Sequence, residues 1–238
     1  MRYELYYWDG IQGRGEFVRL ALEDAGARYV DVARGDGGED AMLALLDGRR
    51  VARPPFAPPF LKAGRQLIGQ TANILLYLGP RLGLAPASDA GRLWTHQLQL
   101  TLADVVGEAH DTHHPIAPSL YYQDQRREAK RRAAHFVAER MPKYLGYFER
   151  VLAQNPRGAH QLVGGTLTYA DLSLFQVIEG LSYAFPKAMA RLARGHRKVI
   201  GVRDRARDRP RIAAYLASPR RLAFNEQGIF RHYAELDL

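Results

Sequence analysis

The sequence predicts a small α/β domain followed by a larger all-helical domain. Up to residue 82, strand and helix patterns alternate in the order βαβ and then ββα. Residues 83–91 are rich in Gly, Pro, Ala and Ser, and helical periodicity dominates from Arg92 onwards. We therefore expect domains at 1–82 and 92–238, joined by a linker at 83–91.

Each element of the small domain has a local signature. Short β-rich runs predict the strands, apolar residues repeating along one face predict the first helix, and Gly26 stands where that helix should end. Prolines precede the last two strands, and a glycine and a proline end the last helix. The predicted elements are a strand at 3–8, a helix at 14–25, a strand at 28–33, a helix at 39–48, a hairpin within 53–69 and a helix at 70–82.

In the second domain we predict long helices at 92–114 and 124–154 from their periodicity. The segment 169–185 is apolar nearly all round, so it should be a buried central helix. One apolar stripe of the 92–114 helix holds Leu98, Leu102 and Val105, while Leu93, Leu100 and Ala103 lie elsewhere on it. A two-fold dimer would bury this second set.

The composition limits the class of protein. Of 238 residues, 47% are apolar and 25% charged, which is ordinary for a globular protein and enough for a real core. No apolar run approaches the roughly 20 residues of a membrane span, and a glutamate interrupts the N-terminal stretch where a signal peptide would be apolar, so we expect a cytoplasmic protein. With no cysteine, thiolate metal sites and cysteine nucleophiles are excluded, and any thiol must come with the ligand.

The net charge of +9 invites a nucleic-acid interpretation, and basic stretches at 125–135 and 191–211 support it. Both stretches also contain acids, and the first has helical spacing, so a solvated helix face is the simpler interpretation. The excess of Arg over Lys, with abundant Ala and Gly, also fits a genomic base-composition bias. We therefore expect no nucleic-acid partner.

Three stretches of the small domain carry possible chemistry. At the end of the first strand, alternation places Tyr7 on one face with Leu5, and three glycines follow that would let the backbone approach a ligand. A Pro-Pro pair at 58–59 precedes a strand and is a candidate cis peptide. Gln70 and Thr71 begin a helix whose free N–H groups would receive a carboxylate. Taken singly, these features are more often explained by structure: core packing for Tyr7, a rigid turn for the Pro-Pro pair and helix capping for Thr71.

Taken together, these motifs resemble the cytosolic glutathione transferases. The resemblance rests on Tyr-Trp-Asp with Gly-Arg-Gly-x-x-x-Arg, on Pro-Pro-Phe-Leu, and on Gln-Thr-x-x-Ile-x-x-Tyr-Leu, in that order. Residues 164–177 resemble that family's buried helix start, with Thr168 and Asp171 as its capping box. The tyrosine end is closest to the alpha, mu and sigma-like classes. The resemblance implies a thioredoxin-like α/β domain (βαβ-ββα) and an all-α helical-bundle domain.

The resemblance also assigns roles. Tyr7 matches the catalytic tyrosine, with Tyr6 as the alternative if the register differs by one, and Arg14 matches a cation that favours the thiolate. Arg19 is expected to be a structural ion-pair partner. Asp104 matches an acid that reaches the γ-glutamyl amine of glutathione on the neighbouring subunit. The other glutathione contacts are Pro58 and a cis Pro59, Gln70 and Thr71, with Trp8, Arg49, Arg50 and Arg53 as candidates for the glycine carboxylate.

For the electrophile pocket we expect Ile11, His110, His114 and Phe224, the last from a segment at 220–238 that would cap the pocket or pack on the surface. His110 and His114 share a helix face and could ligate zinc, but no carboxylate motif accompanies them, so we expect no metal.

The expected function is conjugation of glutathione, as co-substrate, to an apolar electrophile by a cytoplasmic homodimer that acts in detoxification. A non-catalytic ligand-binding or scaffold protein, and a glutathione-dependent isomerase or organic-hydroperoxide reductase, remain alternatives on the same fold.

Overall fold

A computed structural model describes residues 2–49 and 51–237 of the chain. Within these residues, four strands and ten α-helices occur in chain order. The elements are β1 (Tyr3–Tyr6), α1 (Gly15–Asp24), β2 (Tyr29–Asp31), α2 (Gly38–Leu46), β3 (Phe60–Ala63), β4 (Gln66–Gly69), α3 (Thr71–Arg81), α4 (Asp89–Asp111), α5 (Arg126–His135), α6 (Met141–Gln154), α7 (Tyr169–Ala184), α8 (Pro186–Leu192), α9 (Arg197–Arg207) and α10 (Pro210–Leu216).

The four strands form one sheet in the order β2-β1-β3-β4. Strand β2 runs parallel to β1, whereas β3 and β4 are antiparallel to their neighbours. The predicted order βαβ and then ββα is therefore confirmed. Strand β1 ends at Tyr6, which corrects the prediction of a strand over 3–8: Tyr7 lies just beyond the strand.

Helix α1 lies between the sheet and the helical domain. Val18 and Leu22 pack with strand residues such as Leu5, while Phe17 and Leu20 join the large core of the helical domain. All ten residues of α1 are buried, so the single apolar face read from the sequence understates its burial. Gly26 follows the helix with a φ of +64°, a conformation that glycine adopts without steric cost.

Helix α7 is the centre of the second domain, as predicted. Thirteen of its sixteen residues are buried, and it packs against α4, α9 and α1. The Thr168 hydroxyl, the Thr168 N–H and the Leu162 N–H all donate to the Asp171 carboxylate, so the predicted capping box is present. The N-terminal end of α7 is therefore capped by protein groups alone.

The helix predicted over 124–154 is interrupted by a π-helical turn. Helix α5 passes into a π turn at Phe136–Arg140, and α6 follows directly. Pro142 has no N–H to donate to the preceding turn, and its ring would crowd the carbonyl four residues earlier. The wider turn absorbs this mismatch without ending the helix.

The basic stretch 191–211 forms helices rather than a continuous charged face. Arg203 and Arg207 pair with Glu179 of α7, and the Arg209 guanidinium binds the Asp24 carboxylate at the end of α1. The positive charge of this stretch is therefore partly neutralised within the fold. No helix in residues 2–49 or 51–237 combines the length and apolar character needed to cross a bilayer.

Candidate functional site

Tyr7 lies immediately after β1, buried beside the first turn of α1. Its hydroxyl accepts a hydrogen bond of 2.9 Å from the Arg14 backbone N–H. Burial raises the pKa of Tyr7, opposed in part by that hydrogen bond and by the charges of Arg14 and Arg19. The phenol therefore stays protonated at neutral pH, and its O–H hydrogen is not used in the bond to Arg14.

Two of the glycines after Tyr7 leave the space that its side chain occupies. A Cβ added to Gly13 would lie 1.9 Å from the Tyr7 hydroxyl oxygen, and one added to Gly15 would lie 2.6 Å from the Tyr7 ring. Gly13 also has a φ of +45°. By contrast, a Cβ on Gly10 would meet nothing within 4 Å. We predicted that all three glycines would admit a ligand, but Gly13 and Gly15 make room for Tyr7 itself.

Tyr6 has a different environment. Its hydroxyl donates to the Glu4 carboxylate at 2.8 Å, and its ring stacks on Phe60 with centroids 4.7 Å apart. Burial, followed by the bond to Glu4, raises the pKa of Tyr6. Since its proton is already committed to Glu4, the geometry favours Tyr7 over Tyr6 as the free phenol.

Side-chain amides hold the glycine-rich loop through hydrogen bonds to distant parts of the chain. The Gln12 side chain donates to the Leu222 carbonyl at 2.5 Å and accepts from the Gln176 amide at 2.8 Å. Asn225 donates to the Gly10 carbonyl at 2.9 Å. Strand β1, helix α7 and the 220–237 segment therefore meet at this loop.

Arg19 is fully buried beneath the same loop. It binds the Asp31 carboxylate at 2.6 Å and the Gln12 carbonyl at 3.1 Å, and it lies 3.3 Å from the Glu16 carboxylate. Its guanidinium carbon is 5.7 Å from the centre of the Tyr7 ring. The expected structural ion pair is present, and it brings a positive charge close to Tyr7.

The start of α3 faces the same region. The Pro58–Pro59 peptide bond is cis, as predicted, and leads into β3. Gln70 is the N-cap of α3 but makes no side-chain cap, and its φ of +68° is unusual for a residue with a Cβ. Thr71 does not cap the helix either, because its hydroxyl donates to the Arg14 carbonyl at 3.4 Å. The first N–H groups of α3 are therefore left open to a ligand.

Two cavities flank this helix start. One of about 290 Å³ is lined by Arg14, Gln70 and Thr71 and is closed by residues of α4. A second of about 710 Å³ contains Arg53 and shares Gln70 with the first. Tyr7 does not line either cavity, but Arg14, whose N–H it binds, lines the first.

Several known proteins are similar to this chain in sequence or fold. Residues 110–219 match the family model described as "Glutathione S-transferase, C-terminal domain". "Glutathione S-transferase" of Plasmodium falciparum is 26% identical over 190 residues, which cover 78% of this chain and 82% of that protein. "Glutathione S-transferase P 1" of Xenopus laevis is 25% identical over 92% of this chain and 93% of its own length.

The chain is similar to glutathione S-transferases over most of its length. The solved structure of the Onchocerca volvulus Pi-class glutathione S-transferase has a TM-score of 0.69 at 19% identity, covering 90% of this chain and 92% of that one. At this identity the likeness concerns the fold, and it confirms a thioredoxin-like domain followed by an all-helical domain.

Three histidines cluster at the end of α4 and just beyond it. Ring centroids of His110, His113 and His114 lie 4.8–5.1 Å apart in every pairing. His113 is 1% exposed, and its Nε2 lies 2.8 Å from the Ile229 carbonyl. A carbonyl only accepts, so His113 Nε2 carries the proton, and neutral His113 accepts at Nδ1 from His114 Nδ1, 2.5 Å away.

The trio is neutral at physiological pH. Burial lowers the pKa of His110 to about 4 and that of His113 to about 3, and it also lowers that of His114. His114, Arg14 and Arg231 lower the pKa of His110 further, against an opposing effect of Asp111. Within residues 2–49 and 51–237, no group of histidine or acidic side chains has an arrangement that could hold a metal ion.

The other predicted pocket residues come from two directions. Phe224 stacks on Tyr183 with centroids 5.0 Å apart, and the neighbouring Phe230 packs against Gly180 of α7. Ile11 is half-buried in the loop that Asn225 fixes. The 220–237 segment thus runs from the glycine-rich loop to the histidine cluster.

The residues expected at the glycine end of glutathione are spread out. Trp8 is 37% exposed, and Arg53 is exposed in the larger of the two flanking cavities. Arg49 pairs with Asp47 at 2.8 Å on the surface, and Arg50 lies outside the described residues. Asp104 is exposed on α4 and lines neither cavity of its own chain.

Sequence reasoning missed the residues that hold the site in place. The Tyr215 hydroxyl donates to Glu16 at 2.7 Å, and Arg221 binds both Glu16 and Gln176. The only signals in the sequence were Glu16 and Gln176, which lie among the apolar residues of their helices. A polar residue in such a position indicates a buried polar partner but does not identify it.

Proposed function

We propose that this chain conjugates the thiolate of glutathione to small apolar electrophiles. The observation that carries the proposal is the Tyr7 hydroxyl, whose oxygen accepts from the Arg14 N–H while its own proton stays free. Relatives named glutathione S-transferase over most of their length support the same function.

Tyr7 would act by stabilising the thiolate. A free thiol with a pKa near 8.5 is only a few per cent ionised at pH 7. Because its own pKa is raised, Tyr7 is a phenol at that pH and can donate to the sulfur. Lowering the thiol pKa by about 2 units requires roughly 2.7 kcal/mol, within reach of one charge-assisted hydrogen bond together with the Arg14 cation.

Glutathione would lie along the edge formed by the cis-proline turn and the start of α3. We propose that the backbone at Pro58 and Pro59 pairs with the cysteinyl residue, and that Gln70 and Thr71 hold the γ-glutamyl carboxylate at the open helix start. Arg53 and Trp8 are the candidates for the glycine carboxylate.

The electrophile would bind between the glycine-rich loop and the end of α4. We assign Ile11, His110, His114 and Phe224 to this pocket, because the 220–237 segment joins the two places through Asn225 and Ile229. Neutral imidazoles offer an electrophile polar contacts without placing a competing positive charge beside the thiolate.

We propose that the protein is a homodimer. On α4, Leu98 and Leu102 are fully buried, whereas Leu93 is 71% and Leu100 49% exposed. Asp104 forms no hydrogen bond or ion pair with any residue in 2–49 or 51–237. If a second copy covers the exposed stripe, Asp104 would reach the ammonium of glutathione on the partner subunit, which would explain why it has no partner in its own chain.

We assign glutathione binding to residues 1–82 and the electrophile pocket to 92–238, with 83–91 as the linker. A protein that consumes reduced glutathione fits the cytoplasm, where glutathione keeps thiols reduced. Removal of toxic electrophiles is the proposed role there.

The decisive experiment combines retention on immobilised glutathione with turnover of a chloronitroaromatic substrate. We expect elution by free glutathione and conjugation at a rate that depends on Tyr7. If the protein is retained but turns over neither this compound nor an organic hydroperoxide nor an isomerisable enone, it is a binding protein. Turnover of only the hydroperoxide or the enone would indicate the reductase or isomerase.

A further inference from the structure

The position of the ring proton on His114 is fixed by its neighbours. His113 is buried, and its Nε2 donates to the Ile229 carbonyl at 2.8 Å. The Nδ1 of His113 therefore carries no proton and accepts from His114 Nδ1, 2.5 Å away. Because a neutral imidazole has a single N–H, the Nε2 of His114 is left with a lone pair and no proton.

Two features keep His114 in this form. Burial, followed by the charge of Arg231, lowers the pKa of His114, so the ring is neutral at physiological pH. Arg231 is itself held in place, because its guanidinium donates to the carbonyls of Gly228 at 2.8 Å and Gln227 at 3.2 Å. Turning the His114 ring over would put a carbon where Nδ1 now donates to His113, so the ring orientation is fixed as well.

His114 lines a cavity that is separate from the two cavities beside α3. This cavity has a volume of about 580 Å³ and lies between the loop 118–123 and the 220–237 segment. Tyr122 and Tyr233, whose rings stack with centroids 3.8 Å apart, form part of its wall. Within residues 2–49 and 51–237, the Nε2 of the half-buried His114 has no hydrogen-bond partner, so this acceptor is available to a bound molecule.

We propose that His114 makes the protein prefer electrophiles that carry a hydroxyl group, with the hydroxyl donating to His114 Nε2. This preference rests on the proposed conjugation, in which His114 belongs to the electrophile pocket. A hydroxyl has a proton to donate, whereas an ether of similar size offers only lone pairs to the lone pair of Nε2. An ether would therefore displace water from Nε2 without replacing its hydrogen bond. His113 is the positioning residue, since it sets the proton on His114 and need not touch the electrophile.

Two glutathione conjugates test the preference. They are S-(4-hydroxymethylbenzyl)glutathione and its methyl ether, S-(4-methoxymethylbenzyl)glutathione. By calorimetry we expect the alcohol to bind with a Kd about fivefold lower, equivalent to about 1 kcal/mol. Equal Kd values would overturn the preference and leave the glutathione site standing. If neither conjugate binds, the proposed function fails and the preference falls with it.

Matched variants separate the hydrogen bond from the bulk of the added methyl group. His114→Asn keeps a donor close to the position of Nδ1 but has no atom at the position of Nε2, so the two Kd values should become equal. Glu226→Gln changes an exposed carboxylate at the wall of the same cavity and should keep the fivefold difference. A difference that survives in His114→Asn, or that disappears in Glu226→Gln, would contradict the proposal.

The position of the proton can also be measured without any ligand. Long-range proton–nitrogen NMR of the chain with isotope-labelled histidine distinguishes a ring nitrogen that carries a proton from one that does not. At neutral pH we expect His114 to be protonated at Nδ1 and bare at Nε2. A proton on Nε2 would overturn the proposal whatever the conjugates do.

Discussion

Among the buried tyrosines of this chain, Tyr7 differs in what its hydroxyl does. The hydroxyls of Tyr6, Tyr29 and Tyr215 donate to glutamates, and burial raises the pKa of each. Tyr7 accepts from a backbone N–H instead, so its hydroxyl keeps a proton to offer an incoming sulfur. The distinction depends on one hydrogen bond and not on burial.

Replacing Tyr7 by phenylalanine tests this role. We expect kcat/KM to fall roughly 10- to 1000-fold, the loss of about 1.4–4 kcal/mol of thiolate stabilisation, with glutathione still bound. The measurement is thiolate absorbance of bound glutathione against pH, which should show a higher thiol pKa. Tyr6→Phe is the control. If it raises the thiol pKa and Tyr7→Phe does not, the catalytic tyrosine is Tyr6.

Gly13→Ala should impair the site without removing any functional group. The new methyl would collide with the Tyr7 hydroxyl, and its backbone conformation disfavours a Cβ. We expect a fall in turnover approaching that of Tyr7→Phe. Gly10→Ala places its methyl in open space and should keep normal turnover. Equal activities of the two alanine variants would show that Tyr7 need not occupy its present position.

His113 should make the fold sensitive to acid. Its folded pKa of about 3 lies below the ordinary value of 6.5, because burial disfavours the charged ring. The unfolded chain therefore takes up a proton first, and stability present above about pH 6.5 is lost as the pH falls towards 3. Urea unfolding between pH 7 and pH 5 should show a smaller loss of stability in His113→Gln, whose amide can still donate to Ile229. His160→Gln, at an exposed histidine, should behave as the parent does.

At the scale of the elements, α3 begins under backbone strain. Gln70 has a φ of +68° and a ψ of +119°, a conformation that costs a residue with a Cβ of order 1–3 kcal/mol. Neither its side chain nor that of Thr71 caps the helix. A segment arranged only for stability would place a glycine and a capping residue here, so the arrangement fits a ligand-binding role.

Gln70→Gly should separate stability from binding. We expect the free energy of unfolding to rise by about 1 kcal/mol as strain is relieved. The Kd for glutathione, measured by calorimetry, should rise several-fold because the amide is lost. Gln66→Gly, in the ordinary conformation of β4, should destabilise the protein and leave the Kd unchanged. A Gln70→Gly variant with unaltered affinity would remove Gln70 from the site.

The local elements were predictable because their signals are local. The periodicity around Phe17, the glycine at 26 and the capping box at Thr168 each act within a few residues. Helices α8 to α10 were missed because Arg and Lys obscured their apolar positions. The partners of Glu16 and Gln12 could not be predicted, since Tyr215 and Leu222 lie about two hundred residues further along the chain. No spacing rule in a single sequence reaches that far.

At the scale of the whole molecule, α4 leaves an apolar stripe uncovered. Leu93 and Leu100 are exposed beside the fully buried Leu98 and Leu102, which confirms the two stripes predicted from the sequence. Phe56, in the loop before the cis proline, is 96% exposed. We infer that both features are covered in a two-fold assembly.

Leu93→Glu, on the exposed stripe and away from both cavities beside α3, should weaken the dimer and glutathione binding together, because a ligand that contacts both chains favours their association. Asp104→Asn should leave the dimer intact and weaken glutathione binding several-fold, by about 1 kcal/mol. Light scattering and titration across protein concentrations measure both effects. A stable monomer with full glutathione affinity would rule out a contribution from the partner subunit.

The hydrogen bond from Asn225 to Gly10 spans 215 positions of the chain, and that from Gln12 to Leu222 spans 210. During synthesis, the loop after β1 leaves the ribosome long before the groups that hold it exist. A nascent chain that has already folded its sheet therefore carries Tyr7 beside a loop that lacks these two hydrogen bonds. They can form only after residue 225 has left the ribosome. We therefore expect no activity until the 220–237 segment has packed against this loop and the first turn of α1.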